Sequence, residues 1–326
     1  MTLFFTVTTL QQLPQALALG ESLRQHQPAD RFVIGLADDS GQIPATFQCP
    51  YELIPVTALP VDLPLLSEKY NPAEFAAAVK PLFLRHLWQT RPEAEQVVYL
   101  APSIYLYRPL TELTALFADS PLLLTPHLLR PPADEQWPDE KYFQNVGLFH
   151  AGFLGLRRSE NADHFVEWWS QRAPERAFVD FCEGMCLDQV WLMMTVVFYP
   201  ATRIVKNPGW HVGLWNLHER NLRSAGTQQT ADGQPLAFFN FDGFVNRSLL
   251  FDGQNRVRLS AFPVAQALVR AYRQVVQRLD ANLSRIAPAY GRQVIKYPLP
   301  AWRKSLLQSL RQTVQFIDTV DVPRKM

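Results

Sequence analysis

The chain has 326 residues, 48% of them hydrophobic, enough to bury a large core without disulfides or structural metals. Its 31 basic and 30 acidic residues leave a formal charge of +1, so no net field gathers nucleic acid or an acidic membrane, and any anion must be held by a local cluster. Three cysteines are too few for a disulfide framework, and the pair Cys182 and Cys186 lacks the two further ligands of a zinc site, a pattern that suits a reducing cytosol.

Residues 3–8 form a short apolar, β-branched run. Leu13, Leu17 and Leu23 then recur at helical spacing within residues 10–27, and strand composition returns over 31–36, which reads as a βαβ opening. Another strand is expected over 51–56, a helix over 73–89 with Phe75, Val79, Leu82, Phe83 and Leu87 facing inward, and a buried strand over 96–100. Such alternation implies a mostly parallel sheet with ligands beyond the carboxyl ends of its strands, so the chemistry is expected just after Leu100.

Further strands are expected over 122–125 and 146–156, with a Pro-rich polar loop at 131–139 placed to cover a site. Ser159 caps a predicted helix over 159–172, in which Phe165, Trp168 and Trp169 share one face in the manner of core packing. A long helix is expected over 262–286. A final amphipathic one is expected over 301–317, with Trp302, Leu306, Leu310 and Phe316 against Arg303, Lys304 and Arg311. With no basic leader and no run of about 18 apolar residues, the expectation is a soluble, cytoplasmic protein.

Several segments carry a resemblance. Gln96-Val97-Val98-Tyr99-Leu100-Ala101-Pro102-Ser103-Ile104-Tyr105-Leu106 is similar to an apolar strand, Tyr-Leu-Asp-x-Asp and a second apolar strand, with both acidic positions replaced. Lys80-Pro81-Leu82-Phe83-Leu84-Arg85 is similar to the helix that precedes that strand. Gly147-Leu148-Phe149-His150-Ala151-Gly152-Phe153 resembles an Asn-x-Gly-Phe strand, with His150 at the Asn position. Leu187-Asp188-Gln189-Val190 resembles an Asp-Gln acceptor-side segment. Gly209-Trp210-His211-Val212-Gly213-Leu214-Trp215-Asn216-Leu217 matches Gly-Tyr-Asn-x-x-x-Trp-Asn-Leu. Phe238-Phe239-Asn240-Phe241-Asp242-Gly243 resembles Phe-Phe-His-Phe-Ser-Gly. In order and spacing, from about residue 3 to 250, these resemble the bacterial GT-A fold nucleotide-sugar glycosyltransferases related to the retaining galactosyl- and glucosyltransferase group.

The resemblance implies an α/β, Rossmann-like GT-A domain over residues 1–250, a mostly parallel twisted sheet flanked by helices, with a C-terminal helical extension over 251–326 packed on it. It implies a nucleotide-sugar donor, a glycan or other hydroxyl acceptor, and work on a cell-surface or secreted glycan. No nucleic acid partner is implied. The C-terminal stretch from Ala301 would dock on its own domain, on a partner enzyme of glycan assembly or on the inner face of the membrane.

In the family, the two acidic residues and a later His hold a divalent cation on the donor diphosphate. Here those positions are Ala101, Ser103 and Asn240, so no metal cofactor is expected, with Asp242 as the nearest carboxylate that would substitute. Leaving-group charge would then fall to cations. Lys80 and Arg85 are one source, or are simply solvated helix cations; Lys206, His211 and Arg220 are another.

Asp188 and Gln189 are the expected catalytic pair. Asp188 would act as general base in an inverting reaction, or would orient the acceptor or stabilise the anomeric carbon in a retaining one; the structural alternative is a helix cap for the run 190–197. Thr8, Lys80, Arg85, Ala101, Ser103, His150, Gly152, His211, Asn216, Asn240 and Gly243 are implied on the donor side. Trp210, Trp215 and His218 would stack on a sugar or base, or fill the core. A catalytically inactive relative that binds a sugar nucleotide, glycan or partner enzyme is the competing reading. No Gly-x-Ser-x-Gly elbow or Gly-x-Gly-x-x-Gly turn supports a hydrolase or dehydrogenase.

Overall fold

The structure is a computed structural model that describes residues 1–226, 228–292 and 301–319. In chain order its first half contains β1 (Thr2–Thr8), α1 (Leu13–His26), β2 (Arg31–Leu36), β3 (Glu52–Pro55), α2 (Leu63–Lys69), α3 (Pro72–Thr90), β4 (Gln96–Leu100), β5 (Ile104–Leu106), α4 (Leu113–Asp119), β6 (Leu122–Pro126), α5 (Glu140–Val146), β7 (Phe149–Arg157) and α6 (Glu160–Arg172). There follow the short pair β8 (Val179–Asp180) and β9 (Met185–Cys186), α7 (Thr195–Phe198), β10 (Thr202–Ile204), β11 (Leu222–Ala225), β12 (Gln228–Ala231), β13 (Gln234–Pro235), β14 (Phe238–Asn240), α8 (Pro263–Leu279) and α9 (Ala301–Thr319).

Seven strands build the central sheet in the order β10-β6-β7-β4-β1-β2-β3. All neighbours are parallel except at β7, which runs antiparallel to both β4 and β6. The α/β class and mostly parallel sheet expected from the alternation are therefore present. Strands β1 and β4 are almost wholly buried, as near-continuous apolar runs must be when helices cover both faces. Helix α3 starts on a capping box in which Asn71 accepts from the Glu74 N–H and Glu74 accepts from the Asn71 N–H, with Pro72 at its first position. Its buried face, including Phe75, Val79 and Phe83, packs into the main core with Phe165 and Trp169 of α6.

A small second sheet decides where the site lies. After β4 the chain turns at residues 101–103 and enters β5, which pairs antiparallel with β14 in the register Ile104↔Asn240. Phe241 N donates to Ser103 O at 2.8 Å. Two segments far apart in sequence thus meet at the carboxyl end of β4.

Three expectations change. The strand expected from residue 146 starts at Phe149, because Gly147 at φ 107 ends α5, a helix capped by Asp139 accepting from Tyr142 N. The loop at 131–139 does not cover the cleft. Arg256 ties it elsewhere, pairing with Asp134 and donating to the Pro138 and Gln136 carbonyls. The long helix over 262–286 stops at Leu279. The Asp280 carboxylate captures the Ser284 N–H and hydroxyl, and Asn282 is left-handed at φ 63, a local competition that ends helices.

Residues 1–292 form one compact unit, α8 included, and 293–326 a second. In α9 the side chains of Trp302, Leu306, Leu310, Val314 and Ile317 are more than half exposed. Among the described residues no helix is long and apolar enough to cross a membrane.

Candidate active site

At the carboxyl end of β4, where its turn meets β7 and the segment after β9, lies a cleft of about 260 Å³. Lys80, Ala101, His150, Gly152, Asp188 and Gln189 all line it, with Tyr99, Asp242 and the run 246–251 on the remaining walls.

Its electrostatic centre is an ion pair. Lys80 Nζ lies 2.5 Å from Asp188 Oδ2, with the side chains 10% and 2% exposed. The ammonium also donates to Ala151 O at 3.3 Å and stands 4.8 Å over the Tyr99 ring. Burial pushes the Asp188 carboxyl up from its ordinary value and Lys80 opposes that push; burial and the neighbouring Asp188 push the Tyr99 phenol up as well. Asp188 does not cap a helix. The following turn, Val190–Met194, is 3-10, begins from Gln189 and has no side-chain cap. Instead, left-handed backbone at Leu187, φ 55, turns the chain there, a conformation that costs a non-glycine residue about 1–2 kcal/mol. Gln189 spends its amide on the cleft wall, accepting from Ala151 N at 2.9 Å and donating to Val146 O at 2.7 Å.

His150 is stacked on Trp215, centroids 3.8 Å apart, and its Nδ1 accepts from Gly152 N at 2.9 Å. Burial, then His211, His127 and Lys80, hold its pKa well below the ordinary 6.5. A neutral ring that accepts at Nδ1 carries its proton on Nε2, so His150 offers the cleft a fixed N–H donor. Gly152 is required beside it: a Cβ there would stand 2.8 Å from His150 Nδ1 and 2.9 Å from His211 Nε2.

The positions implied as metal ligands are together, and they serve one another. Ser103 Oγ donates to Asn240 Oδ1 at 2.8 Å, and that oxygen also accepts from Asp242 N at 3.0 Å. Asn240 Nδ2 faces His211 Nε2 at 3.3 Å, and His211 Nδ1 lies 2.6 Å from Thr125 Oγ1. Burial holds His211 well below its ordinary pKa, so the ring accepts from Asn240 and donates to Thr125. Asp242 accepts from Ser248 Oγ at 2.6 Å, and its pKa is raised to about 6, chiefly by burial. A hard divalent cation needs several oxygen ligands, charged by preference. Ala101 has none, the Ser103–Asn240 oxygens are committed, and among the described residues no group of three His, Cys, Asp or Glu is placed to hold an ion. This donor set does not fit the cation that the resemblance implies.

The remaining implied residues lie off the cleft. Arg85 pairs with Glu167 at 3.1 Å. Thr8 is buried at the end of β1, donating to Thr9 O. Asn216 pins backbone, accepting from Gly213 N and donating to the carbonyls of His127 and His211. Gly243, at φ 78, makes the turn into the cleft roof, where a Cβ would meet Leu214 Cδ2 at 2.5 Å. Arg220 pairs with Glu219. Trp210 and Trp215 are 2% and 1% exposed and fill the core; Trp215 reaches the site only through His150. Sequence reasoning missed Tyr99 and Arg247. Arg247 is an 86% exposed side chain on the roof, paired with Asp252. Its only signal was a cation soon after the Asp242-Gly243 turn.

No protein-family model matches the chain. In sequence it is similar to two proteins of Bacillus subtilis (strain 168). To the uncharacterized protein YfnF it is 26% identical over 245 residues, 74% of this chain and 81% of that one. To the uncharacterized protein YfnD it is 25% identical over 190 residues, 56% and 58% of the two chains. In structure it is similar to the galactosyltransferase LgtC, solved in complex with donor and acceptor sugar analogues, at TM-score 0.46 and 13% identity over 89% of this chain and 98% of that one. It is also similar to apo mouse xyloside xylosyltransferase 1, at TM-score 0.40 and 13% identity over 66% and 88%.

Proposed function

We propose that the chain is a GT-A type, hexosyltransferase-like enzyme that moves a sugar from a nucleotide-sugar donor to a glycan or other hydroxyl acceptor without a bound divalent metal. The observation that carries this reading is the convergence of Lys80, Ala101, His150, Gly152, Asp188 and Gln189, drawn from four separate segments, on one cleft at the strand ends. Open α/β sheets bind ligands there.

The reaction breaks the bond between the anomeric carbon and the diphosphate, so charge on the leaving group must be met. Lys80 and Arg247 are the lysine and arginine lining the cleft, and His150 adds a neutral N–H donor. We assign Arg247 to the phosphates, because it is exposed and its Asp252 partner is on the surface. Asp188, its charge answered by Lys80, orients a sugar hydroxyl. At about 260 Å³ the cleft is below the roughly 300–1,000 Å³ of small-molecule sites, so admitting a donor requires the roof at 246–251 to move outward.

A specific observation favours the second reading, a silent relative that binds without turnover: Lys80 is neutralised by Asp188 and Arg85 by Glu167. Incubation with UDP-, GDP- and dTDP-sugars in excess chelator separates the two. Turnover that survives the chelator supports the metal-free transferase, binding alone supports the silent relative, and no binding sinks both.

A further inference from the structure

Away from the cleft, two depressions of about 480 and 420 Å³ share Ile204 and Lys206, at and just beyond the end of the edge strand β10. The first is bounded by α4 and residues 203–210 and carries Arg203 and Lys206. Both are exposed, and among the described residues neither side chain has an ion pair or hydrogen bond. The carboxylate in that depression, Glu112, is committed to Arg108, whose two Nη atoms lie 2.8 and 2.5 Å from its oxygens.

The second depression is mostly apolar. Leu128, Leu129, Pro131, Pro132 and Phe143 line it, with Leu148 half exposed at its edge. Its Arg130 is paired with Asp232, and Glu140 and Lys206 are its remaining charges. Lys206 lines both, so the two adjoining depressions present unpaired cations on one side and partly uncovered hydrocarbon on the other.

We propose that this groove binds an amphiphile with a phosphate head and an apolar chain, the head between Arg203 and Lys206 and the chain over Leu128, Pro131 and Leu148. Exposed apolar troughs rimmed by polar groups mark binding sites, and Arg with Lys answers a phosphate through charge-assisted hydrogen bonds. A free phosphate would leave the trough uncovered. A neutral hydrocarbon would leave both cations unanswered.

The trough also backs onto the cleft through one aromatic layer. His127 lines the trough, and its ring centroid is 4.9 Å from that of His150, which lines the cleft.

The test is calorimetric titration of the full chain, without sugar nucleotide, with farnesyl phosphate, farnesol and inorganic phosphate. Farnesyl phosphate should bind at least about tenfold more tightly than either fragment, and Arg203→Glu or Lys206→Glu should each weaken it by about tenfold. Leu148→Asp should weaken farnesyl phosphate while leaving inorganic phosphate unchanged. These are exposed positions, so the variants should melt with the parent chain. Absence of farnesyl phosphate binding, equal binding of inorganic phosphate or of farnesol, or indifference to Lys206→Glu overturns the proposal. Because no donor is present, a failed transferase assay leaves this result standing, and the converse holds.

Discussion

Replacing Lys80 by methionine isolates the electrostatics of the cleft. The substitution keeps an unbranched apolar side chain but removes an ammonium 2.5 Å from a carboxylate oxygen whose side chain is 2% exposed. At an effective dielectric constant of about 20 that separation is worth about 7 kcal/mol gross, and the desolvation of both ions offsets much of it. Deleting one partner should cost about 3–5 kcal/mol near neutral pH, because the other charge stays buried and unanswered. The pH dependence has a definite sign. Burial already raises the Asp188 carboxyl above its ordinary 3.8, and Lys80 is the main influence pulling it back. A carboxyl raised in the folded state favours the fold below its unfolded pKa, and that contribution is lost as pH rises through the folded pKa. Lys80→Met should therefore be most damaging at neutral pH and recover as the pH is lowered toward the unfolded carboxyl value. Adding Asp188→Asn should restore much of the loss. Urea denaturation of the parent, both single variants and the double variant across neutral and acid pH measures the coupling. A Lys80→Met cost below about 1 kcal/mol, a loss that ignores pH, or strict additivity of the two substitutions would refute the reasoning.

Three further outcomes follow from the same geometry. Gly152→Ala should destabilise by about 1–3 kcal/mol in denaturant titration, since its methyl must displace both His150 and His211; a neutral result would mean those rings are not fixed. The Asp242 carboxyl, raised from 3.8 to about 6, favours the fold at acid pH and loses that contribution as pH climbs through this window. Asp242→Asn should flatten the stability–pH profile there by on the order of 3 kcal/mol, and parallel profiles would exclude it. His150→Phe keeps a ring on Trp215 but loses the Nε2–H, so sugar-nucleotide affinity by calorimetry should fall by about tenfold; unchanged affinity removes His150 from the site.

Much of the fold was legible because its signals are local. The alternation from residue 3 to 100 specified βαβ units, and the Asn71–Glu74 box and Ser159 cap stand where helices begin. What was not legible depends on direction and on distant partners. Lys80 and Arg85 share one helix and one charge, yet Lys80 faces inward to Asp188 while Arg85 faces Glu167 on α6. Spacing cannot choose between them without knowing which helix face meets β7. Asp188 before an apolar run read equally as a cap; only the left-handed Leu187 and the 3-10 turn after it release the carboxylate for Lys80. Arg247 was invisible because a roof of loop residues leaves no periodicity to read.

Two of the positions that the resemblance implies as metal ligands, Ser103 and Asn240, are best understood as one coupled unit. The β5–β14 register places Ser103 beside Asn240, and each donor then has a single acceptor. The Ser103 hydroxyl donates to the Asn240 oxygen, the Asn240 amide to His211, and His211 to Thr125. The chain of donors runs in a single direction and ends on a hydroxyl. Putting His at 240, the residue the resemblance implies there, would remove the amide oxygen that accepts from both Ser103 Oγ and Asp242 N, leaving at most one ring nitrogen to replace it. Putting Asp at 103 would bring a carboxylate to the Asn240 oxygen, so the amide would have to turn over and the His211 proton move to Nε2 for both to keep partners. A single step toward an acidic residue at 103 or a His at 240 therefore rearranges its neighbours as well. That coupling ties Ser103, Asn240 and His211 into one hydrogen-bonded unit, and under the proposed metal-free reading the leaving-group charge is left to side chains such as Arg247.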